Sequence, residues 1–536
     1  MTTLAPAETT VYPSRVTAAD LIQRALVNHR HKTALIQGDR RVTYAEFGDR
    51  IHRAVNALDA LGVRPGEPVG LVAGNIIEFL EVDFACLMGG YVRCAETPRL
   101  HPNELIGIFA SASIRVVIVE ESYLERFETV AAKIPTLEKI VVIGNSTDHT
   151  SWDDLLQAAS ATPPEATPTA GTDGWLIYSS GTTGEPKGST LTQGSIVGFT
   201  RNVLAEICSL DETDVLLHSA PLGHFSGCLA FASLYRGGTQ VLLPNFDAEQ
   251  LLRTVAEHHV THTVLVPTML ATLTNTARTL GIDVSSLEYM IYGASSIALS
   301  QLTAAIETFG NVLVQVYGLT ENPMPVTVLP RRAHIFDPDG PAPQRLRSAG
   351  RPVAAVEVRL VDDDRHDVPT GSRGEIALRA DVRMHGYWGR PDLTAAVFDD
   401  DGWFYTGDVG QFDEDGYLYM VDRKKDMIVT GGFNVYPTEV ENVIDTVPGV
   451  SEVAVVGLPD EQWGEAVTAV VVADRTAENL TAADVIAAVR AQLAGYKCPK
   501  RVEFVDELPK SSRGKVLRRR LREQFSEHPG PNGAES

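Results

Sequence analysis

Tyr178-Ser179-Ser180-Gly181-Thr182-Thr183-Gly184-Glu185-Pro186-Lys187-Gly188-Ser189-Thr190 is the stretch around which the chain is organised. An apolar lead, Gly174 to Tyr178, reads as a strand and runs into residues dominated by Gly, Ser and Thr, closed by Lys187. Residues this small cannot build core. They bend sharply and aim backbone N–H groups and hydroxyls at one point, which suits a phosphate. Lys187 adds a point positive charge. The pattern is not a P-loop, because Lys187 follows Pro186 rather than a glycine. A flexible surface linker is the alternative for any Gly/Ser run; the embedded Pro186-Lys187 and the strand-like lead-in favour a phosphate-binding loop.

Outward from this loop, helical apolar spacing over Thr17–Val27 and Tyr44–Leu61 flanks a hairpin turning at Gly38-Asp39. Short β-branched runs at 69–73, 116–119 and 141–143 alternate with an apolar helix from Ile76 to Met88 and another from Pro102, the signature of an α/β sheet. After the loop, a helix over 194–205 precedes strands at 214–218, 239–243, 263–266, 289–292 and 312–317. Ligands in open α/β sheets bind at the carboxyl ends of strands. The segments Gly293-Ala294-Ser295-Ser296 and Gly318-Leu319-Thr320-Glu321 follow two such ends, and the glycine loop follows a third.

From Gly350 the texture becomes alternating strands punctuated by Gly and Asp, which predicts a distorted β-barrel over 350–421. The charged run Asp422-Arg423-Lys424-Lys425-Asp426 marks a boundary, which the residues by themselves favour as a solvated turn, and a small mixed α/β domain follows. Domain limits are therefore 17–421, a connection at 422–425, a small domain at 426–520 and a disordered tail at 521–536. From Lys497 to Arg522 the chain is locally basic, without the interleaved aromatics of a nucleic-acid surface.

The 536 residues leave room for several domains, and 44% apolar with 21% charged residues is ordinary for a globular chain. A net charge of -23 argues against nonspecific binding to nucleic acid or anionic membrane. The five cysteines form no C-x-x-C pair, which fits a reducing compartment and offers no metal spacing. No apolar run reaches the length of a membrane span, and neither terminus reads as a targeting signal, so a cytoplasmic enzyme, monomeric or homodimeric, is expected.

Taken in order, these motifs resemble the adenylate-forming superfamily of acyl-CoA synthetases, aryl-CoA ligases and luciferases, over roughly Tyr44 to Val516. The resemblance implies a large N-terminal α/β domain with a barrel-like part and a small mobile C-terminal domain. It implies ATP, Mg²⁺ and coenzyme A as reactants. Ser179, Ser180, Gly181, Thr182, Thr183, Gly184 and Lys187 would cover the ATP phosphates. Gly293, Ala294 and Ser295 would lie against adenine, and Tyr317 and Gly318 beside the base. Thr320 would touch the α-phosphate, Glu321 would hold Mg²⁺, and Asp408 of Tyr405-Thr406-Gly407-Asp408 would accept from the ribose, with Arg423 nearby. Lys425 would be the hinge, and Gly431, Gly432 and Phe433 would line the thiol's approach. Lys515 would be the catalytic lysine, joined by Thr320, Glu321 and Lys187. His224, Phe225, Tyr292, Gly318 and Met324 would line the acyl pocket, although a lone His after a strand is as readily a structural residue.

The implied reaction is acid–CoA ligation through an acyl adenylate, for an aryl or medium- to long-chain acid. The alternative within the superfamily passes the acyl group to a carrier protein or another nucleophile. A noncatalytic nucleotide-binding protein is disfavoured by Thr320, Glu321, Asp408, Arg423 and Lys515 standing together. Three positions depart from the family pattern: Gln193 replaces the usual His, Glu96 stands where small or apolar residues are common, and Asn322-Pro323 is an unusual continuation after Glu321.

Overall fold

The structure is a computed structural model that describes residues 16–179, 186–322, 325–337, 339–423, 426–431, 433–460, 462–474, 480–510 and 516–526. In chain order it begins with α1 (Ala18–Asn28), β1 (Thr33–Gln37), β2 (Arg40–Thr43), α2 (Tyr44–Ala60), β3 (Pro68–Val72), α3 (Ile77–Gly89), β4 (Val92–Glu96), α4 (Pro102–Ser111), β5 (Val116–Glu120), α5 (Glu121–Ala131), β6 (Lys139–Ile143), β7 (Thr150–Ser151) and α6 (Trp152–Ala158). Next come β8 (Asp173–Ser179), β9 (Lys187–Thr192), α7 (Gln193–Asn202), β10 (Val215–His218), α8 (Phe225–Tyr235), β11 (Thr239–Leu242), α9 (Ala248–His258), β12 (His262–Leu265), α10 (Pro267–Leu280), β13 (Tyr289–Gly293), α11 (Leu299–Phe309) and β14 (Leu313–Tyr317). The rest comprises β15 (Thr327–Leu329), β16 (Arg351–Pro352), β17 (Val356–Val361), β18 (Arg373–Ala380), β19 (Gly386–Tyr387), α12 (Pro391–Val397), β20 (Phe404–Phe412), β21 (Leu418–Arg423), β22 (Ile428–Thr430), β23 (Phe433–Val435), α13 (Pro437–Ile444), β24 (Val450–Asp460), β25 (Gly464–Ala473), α14 (Ala482–Gln492), β26 (Arg501–Phe504) and α15 (Arg518–Ser526).

The chain divides into two compact units. The first holds the described residues up to Tyr292 together with Val312–Val326 and Ala380–Ala396. One of its sheets is eight-stranded, in the order β19-β9-β8-β4-β3-β5-β6-β7. Strands β8, β4, β3, β5 and β6 run parallel, whereas β9 turns back antiparallel on β8 and β19 pairs antiparallel with β9. Its other strands are ordered β14-β13-β12-β10-β11-β1-β2, parallel through β13, β12, β10, β11 and β1. The helix starts follow capping logic. Thr17 with Asp20 and Thr43 with Glu46 form reciprocal capping boxes at α1 and α2.

Helix α3 shows why this unit needs charge inside. It is buried along its whole length and carries Glu78, Glu81 and Asp83 among apolar residues. An unpaired buried carboxylate is very costly, so each has an arginine: Arg40 with Glu78 at 2.7 Å, Arg50 with Glu81, and Arg93 with Asp83 at 3.1 Å. The indoles of Trp152 and Trp175 donate to Glu81 and Asp83 at 3.1 and 2.7 Å. Burial pushes both acids above their ordinary pKa range, against the pull of their arginines. Arg93 on β4 and Trp175 on β8 sit in register across the parallel pair, so the ion pair fixes the sheet that carries the glycine loop.

The second unit holds Gly293–Asn311, Thr327–Arg379 and the described residues from Val397 onward. Strands β17-β18-β20-β21 form a four-stranded sheet over the region expected to be barrel-like, antiparallel at β18–β20–β21. A further sheet orders β23-β22-β25-β24, with β26 parallel on β25. Helix α15 occupies Arg518–Ser526 with Leu521 buried against Ala454, Val456 and Leu508, so 521–526 is ordered helix rather than tail. The driver is the Leu521 contact, which a run of arginines hides in the sequence. Among the described residues no helix is long and apolar enough to cross a membrane.

Candidate active site

In the first unit the two ends of the glycine-rich stretch are held by an antiparallel strand pair. Ser179 ends β8 and Lys187 begins β9, and the two face each other in the register. Strand β9 reads Lys-Gly-Ser-Thr-Leu-Thr, without apolar alternation, and exists because β8 and β19 hydrogen-bond to its two edges. Ser180, Gly181, Thr182, Thr183 and Gly184 lie outside the described residues, as do Met324, Lys425, Gly432 and Lys515.

Tyr317 ends β14, and the turn after it carries Gly318, Thr320 and Glu321, all half-buried. The Val326 N–H donates to the Tyr317 carbonyl at 2.8 Å and closes the turn. Glu321 is gripped twice, once by the segment just before β19 and once by β19 itself. The Met384 N–H donates to the Glu321 carbonyl at 2.8 Å, and the Tyr387 hydroxyl donates to Glu321 Oε1 at 3.0 Å. The Lys187 ammonium stands 5.6 Å from the centre of the Tyr387 ring, within cation–π range. Lys187 and Glu321, named from separate motifs, thus meet on one tyrosine. Tyr387 was missed in the sequence; the only local signal was its aromatic ring in a glycine-flanked dipeptide.

Among the acyl-pocket candidates, Tyr292 is fully buried in β13, its hydroxyl 3.4 Å from Gln315 Oε1, and burial pushes its pKa up. His224 and Phe225 begin α8, both half-buried. Their loop is held from below by buried polar groups. Asn75 donates to the Ala220 carbonyl at 3.0 Å and accepts from the Leu222 N–H at 3.0 Å. His218 Nδ1 lies 2.7 Å from Ser226 Oγ, and its Nε2 lies 2.9 Å from Gln240 Oε1. The Gln240 amide donates to Ser233, so its oxygen faces the ring and accepts a hydrogen bond from Nε2–H; Nδ1 therefore accepts from Ser226. Burial holds His218 neutral, with its pKa lowered to about 4. Asn75, His218 and Ser226 brace this loop through these hydrogen bonds, and no motif flagged them.

In the second unit Gly293 closes β13, and Ala294 adopts φ 71°, a left-handed conformation that costs a residue with a Cβ about 1 kcal/mol or more. Ala294 and Ser295 are exposed. Asp408 is buried on β20 directly opposite Arg423 on β21, the pair expected at the ribose. Gly407 precedes it at φ 73°, and the Thr406 hydroxyl accepts from the Asp408 N–H at 3.0 Å. Gly431 takes φ 57° and donates to the Trp463 carbonyl at 2.7 Å. Phe433 is 55% exposed and stacked 4.6 Å from Tyr496. Of the thiol-approach candidates, Gly431 therefore lies against the Trp463 ring, which Lys500 covers at 4.9 Å, and Phe433 lies on Tyr496.

Of the departures, Gln193 acquires a structural account, and Pro323 lies outside the described residues. Gln193 is fully buried; its amide donates to the Leu87 carbonyl at 2.8 Å and accepts from the Ala19 N–H at 3.1 Å. It staples α1 to α3. Glu96 is buried at the carboxyl end of β4, where, after burial itself, its charge is the next cause raising the Cys94 pKa. Asn322 is buried with Nδ2 making no hydrogen bond among the described residues.

No cluster of three or more His, Cys, Asp or Glu that could hold a metal ion occurs among the described residues. Among the described residues the Glu321 carboxylate is hydrogen-bonded at Oε1 alone, and a carboxylate oxygen of this kind could serve as one hard ligand of a Mg²⁺ ion that keeps several waters.

The sequence profile of the AMP-binding enzyme family matches residues 22–388, and that of the AMP-binding enzyme C-terminal domain matches 439–515. The chain belongs to the AMP-binding, adenylate-forming enzyme family. It is 37% identical over 525 residues to a medium/long-chain-fatty-acid–CoA ligase of Mycobacterium tuberculosis, covering 95% of this chain and 90% of that one. It is 38% identical over 501 residues to a feruloyl-CoA synthase of Amycolatopsis, covering 92% and 96%. Among solved structures, an anthranilate CoA ligase in complex with anthranoyl-AMP superposes with a TM-score of 0.86 at 29% identity, covering 96% of this chain and 98% of that one.

Proposed function

We propose that the chain is an AMP-forming acid–CoA ligase acting on an aryl or medium- to long-chain acid in the cytoplasm. The meeting of Lys187 and Glu321 on Tyr387, at the strand ends where the phosphate-loop and metal motifs converge, carries this reading. CoA-ligase relatives spanning nearly the whole chain support it. A carboxylate oxygen of the acid attacks the α-phosphorus of ATP, the bond to the β-phosphate breaks, and pyrophosphate leaves. The thiol sulfur of coenzyme A then attacks the acyl carbon, the bond to the adenylate oxygen breaks, AMP departs, and the thiol proton passes to solvent.

No protein nucleophile is needed, so the side chains position reactants and stabilise charge. Mg²⁺, held by Glu321 and the nucleotide, would neutralise phosphate charge as pyrophosphate forms. Lys187 binds the β- and γ-phosphates, Thr320 donates to an α-phosphate oxygen, and Asp408 accepts from the ribose hydroxyls beside Arg423. Lys515 spans the attacking carboxylate and the α-phosphate. Gly431 and Phe433 border the thiol's path in the second step, after rotation about Lys425.

Acid-dependent pyrophosphate release over a panel of aryl and fatty acids, with and without coenzyme A and with mass analysis of the product, tests the reading. Equimolar acyl-CoA, AMP and pyrophosphate are expected. Acyl-AMP accumulating beside unused coenzyme A would transfer the assignment to another acceptor, and no pyrophosphate with any acid would overturn it. Lys515→Ala should slow release by about a hundredfold or more while ATP binding persists.

A further inference from the structure

The segment 384–387 holds the first unit's site together in a way the motifs do not describe. Tyr387 is 7% exposed. It lies opposite Ser189 in the β9–β19 pairing, and its own N–H donates to Thr394 Oγ1 at 2.9 Å. The ring is therefore fixed before it meets any substrate. From that fixed position its hydroxyl reaches Glu321 Oε1 and its face reaches the Lys187 ammonium. Glu321 has three side-chain torsions and sits on a turn rather than a strand, so without a partner its carboxylate would sample several rotamers. The Met384 N–H ties the Glu321 backbone to the same segment.

We propose that Tyr387 is a positioning residue that presents Glu321 to the Mg²⁺ of MgATP and couples that carboxylate to Lys187 at the mouth of the phosphate loop. This rests on the adenylation reading above. Oε1 accepts the hydrogen bond of the phenol, so among the described residues Oε2 is the oxygen left for a cation. The ring couples the two motifs because β19 pairs with β9, the strand that Lys187 begins, so a shift of Lys187 displaces the strand that holds Tyr387. The coupling concerns the metal-bearing nucleotide, and affinity for the acid or for coenzyme A is not expected to depend on the hydroxyl.

Tyr387→Phe removes the hydroxyl and keeps the ring. It should weaken MgATP binding, measured by calorimetry in the full-length protein, by about tenfold, the scale of a lost hydrogen bond to a charged group. Affinity for ATP in excess EDTA should stay unchanged. The Mg²⁺ concentration for half-maximal pyrophosphate release should rise to match, with KM for the acid constant. Tyr387→Leu, which also frees Lys187, should in addition weaken metal-free ATP. In the Glu321→Gln background the Tyr387→Phe change should no longer alter the Mg²⁺ dependence. If Glu321→Gln shifts that dependence and Tyr387→Phe does not, the positioning role is overturned and the adenylation reading stands. If Glu321→Gln itself leaves it unmoved, the metal assignment beneath both is overturned.

Discussion

Gln193→Leu separates a structural role from a nucleotide role at the position directly after β9. The Gln193 amide is fully buried and serves two backbone groups far away in the chain, the Leu87 carbonyl 106 residues back and the Ala19 N–H 174 residues back. The Ala19 N–H belongs to the first turn of α1, where no intrahelical acceptor is available. Leucine keeps most of the volume and supplies neither donor nor acceptor, so both backbone groups would be buried without partners. At about 1–3 kcal/mol each, the loss is about 2–6 kcal/mol, concentrated where α1 docks on α3. Urea titration followed by near-ultraviolet circular dichroism, with limited proteolysis to follow release of α1, reads the effect. The denaturation midpoint should fall and α1 should become cleavable, while the dissociation constant for MgATP measured below the transition stays within about twofold, the scale of surface effects of a few tenths of a kcal/mol. Gln193→His should retain most of the stability, because a neutral imidazole offers one donor and one acceptor. An unchanged midpoint in the Leu variant, or a tenfold loss of MgATP affinity at unchanged stability, would refute the staple.

Two further outcomes concern the loop between β10 and α8. A Cβ at Gly227 would fall on the Leu222 carbonyl oxygen, a backbone atom that cannot rotate away. Gly227→Ala should therefore displace Pro221–His224, raise KM for the acid several-fold and leave KM for ATP unchanged; equal changes in both would count against the loop bordering the acid. His218 is buried neutral with a pKa of about 4, below its ordinary value, so the unfolded chain binds one more proton than the native one between about pH 4 and 6.5. Stability from this site is complete above pH 6.5 and falls as pH drops through that window, by about 2 kcal/mol at pH 5. In His218→Gln the denaturation midpoint should depend less steeply on pH between 7 and 5. An unaltered slope would show that His218 is not the group responsible.

The candidate site could be proposed from short stretches because each of its motifs is local. A turn that cradles phosphate needs consecutive small residues. Thr320 and Glu321 follow one strand within four residues, and Asp408 follows Gly407 on a single strand. Helix starts such as Thr17 with Asp20 and Thr43 with Glu46 are also local, since a cap and its partner are three residues apart. Strand β9 was not legible, because Lys187–Thr192 has no apolar alternation and owes its conformation to partners on both edges. Helix α15 was hidden for a related reason: one buried Leu521 among arginines decides it.

The sequence alone determined the order of the glycine loop, the Tyr317–Glu321 turn and the Tyr405–Asp408 strand, and with it the family, since each is written in contiguous residues. Only the tertiary structure decided that Tyr387 joins Lys187 to Glu321, which stands 66 residues before Tyr387 in the chain, that Asp408 pairs in register with Arg423, and that Gln193 staples two helices. Burial and sheet register create those contacts, and neither leaves a periodic trace in the residues that make them.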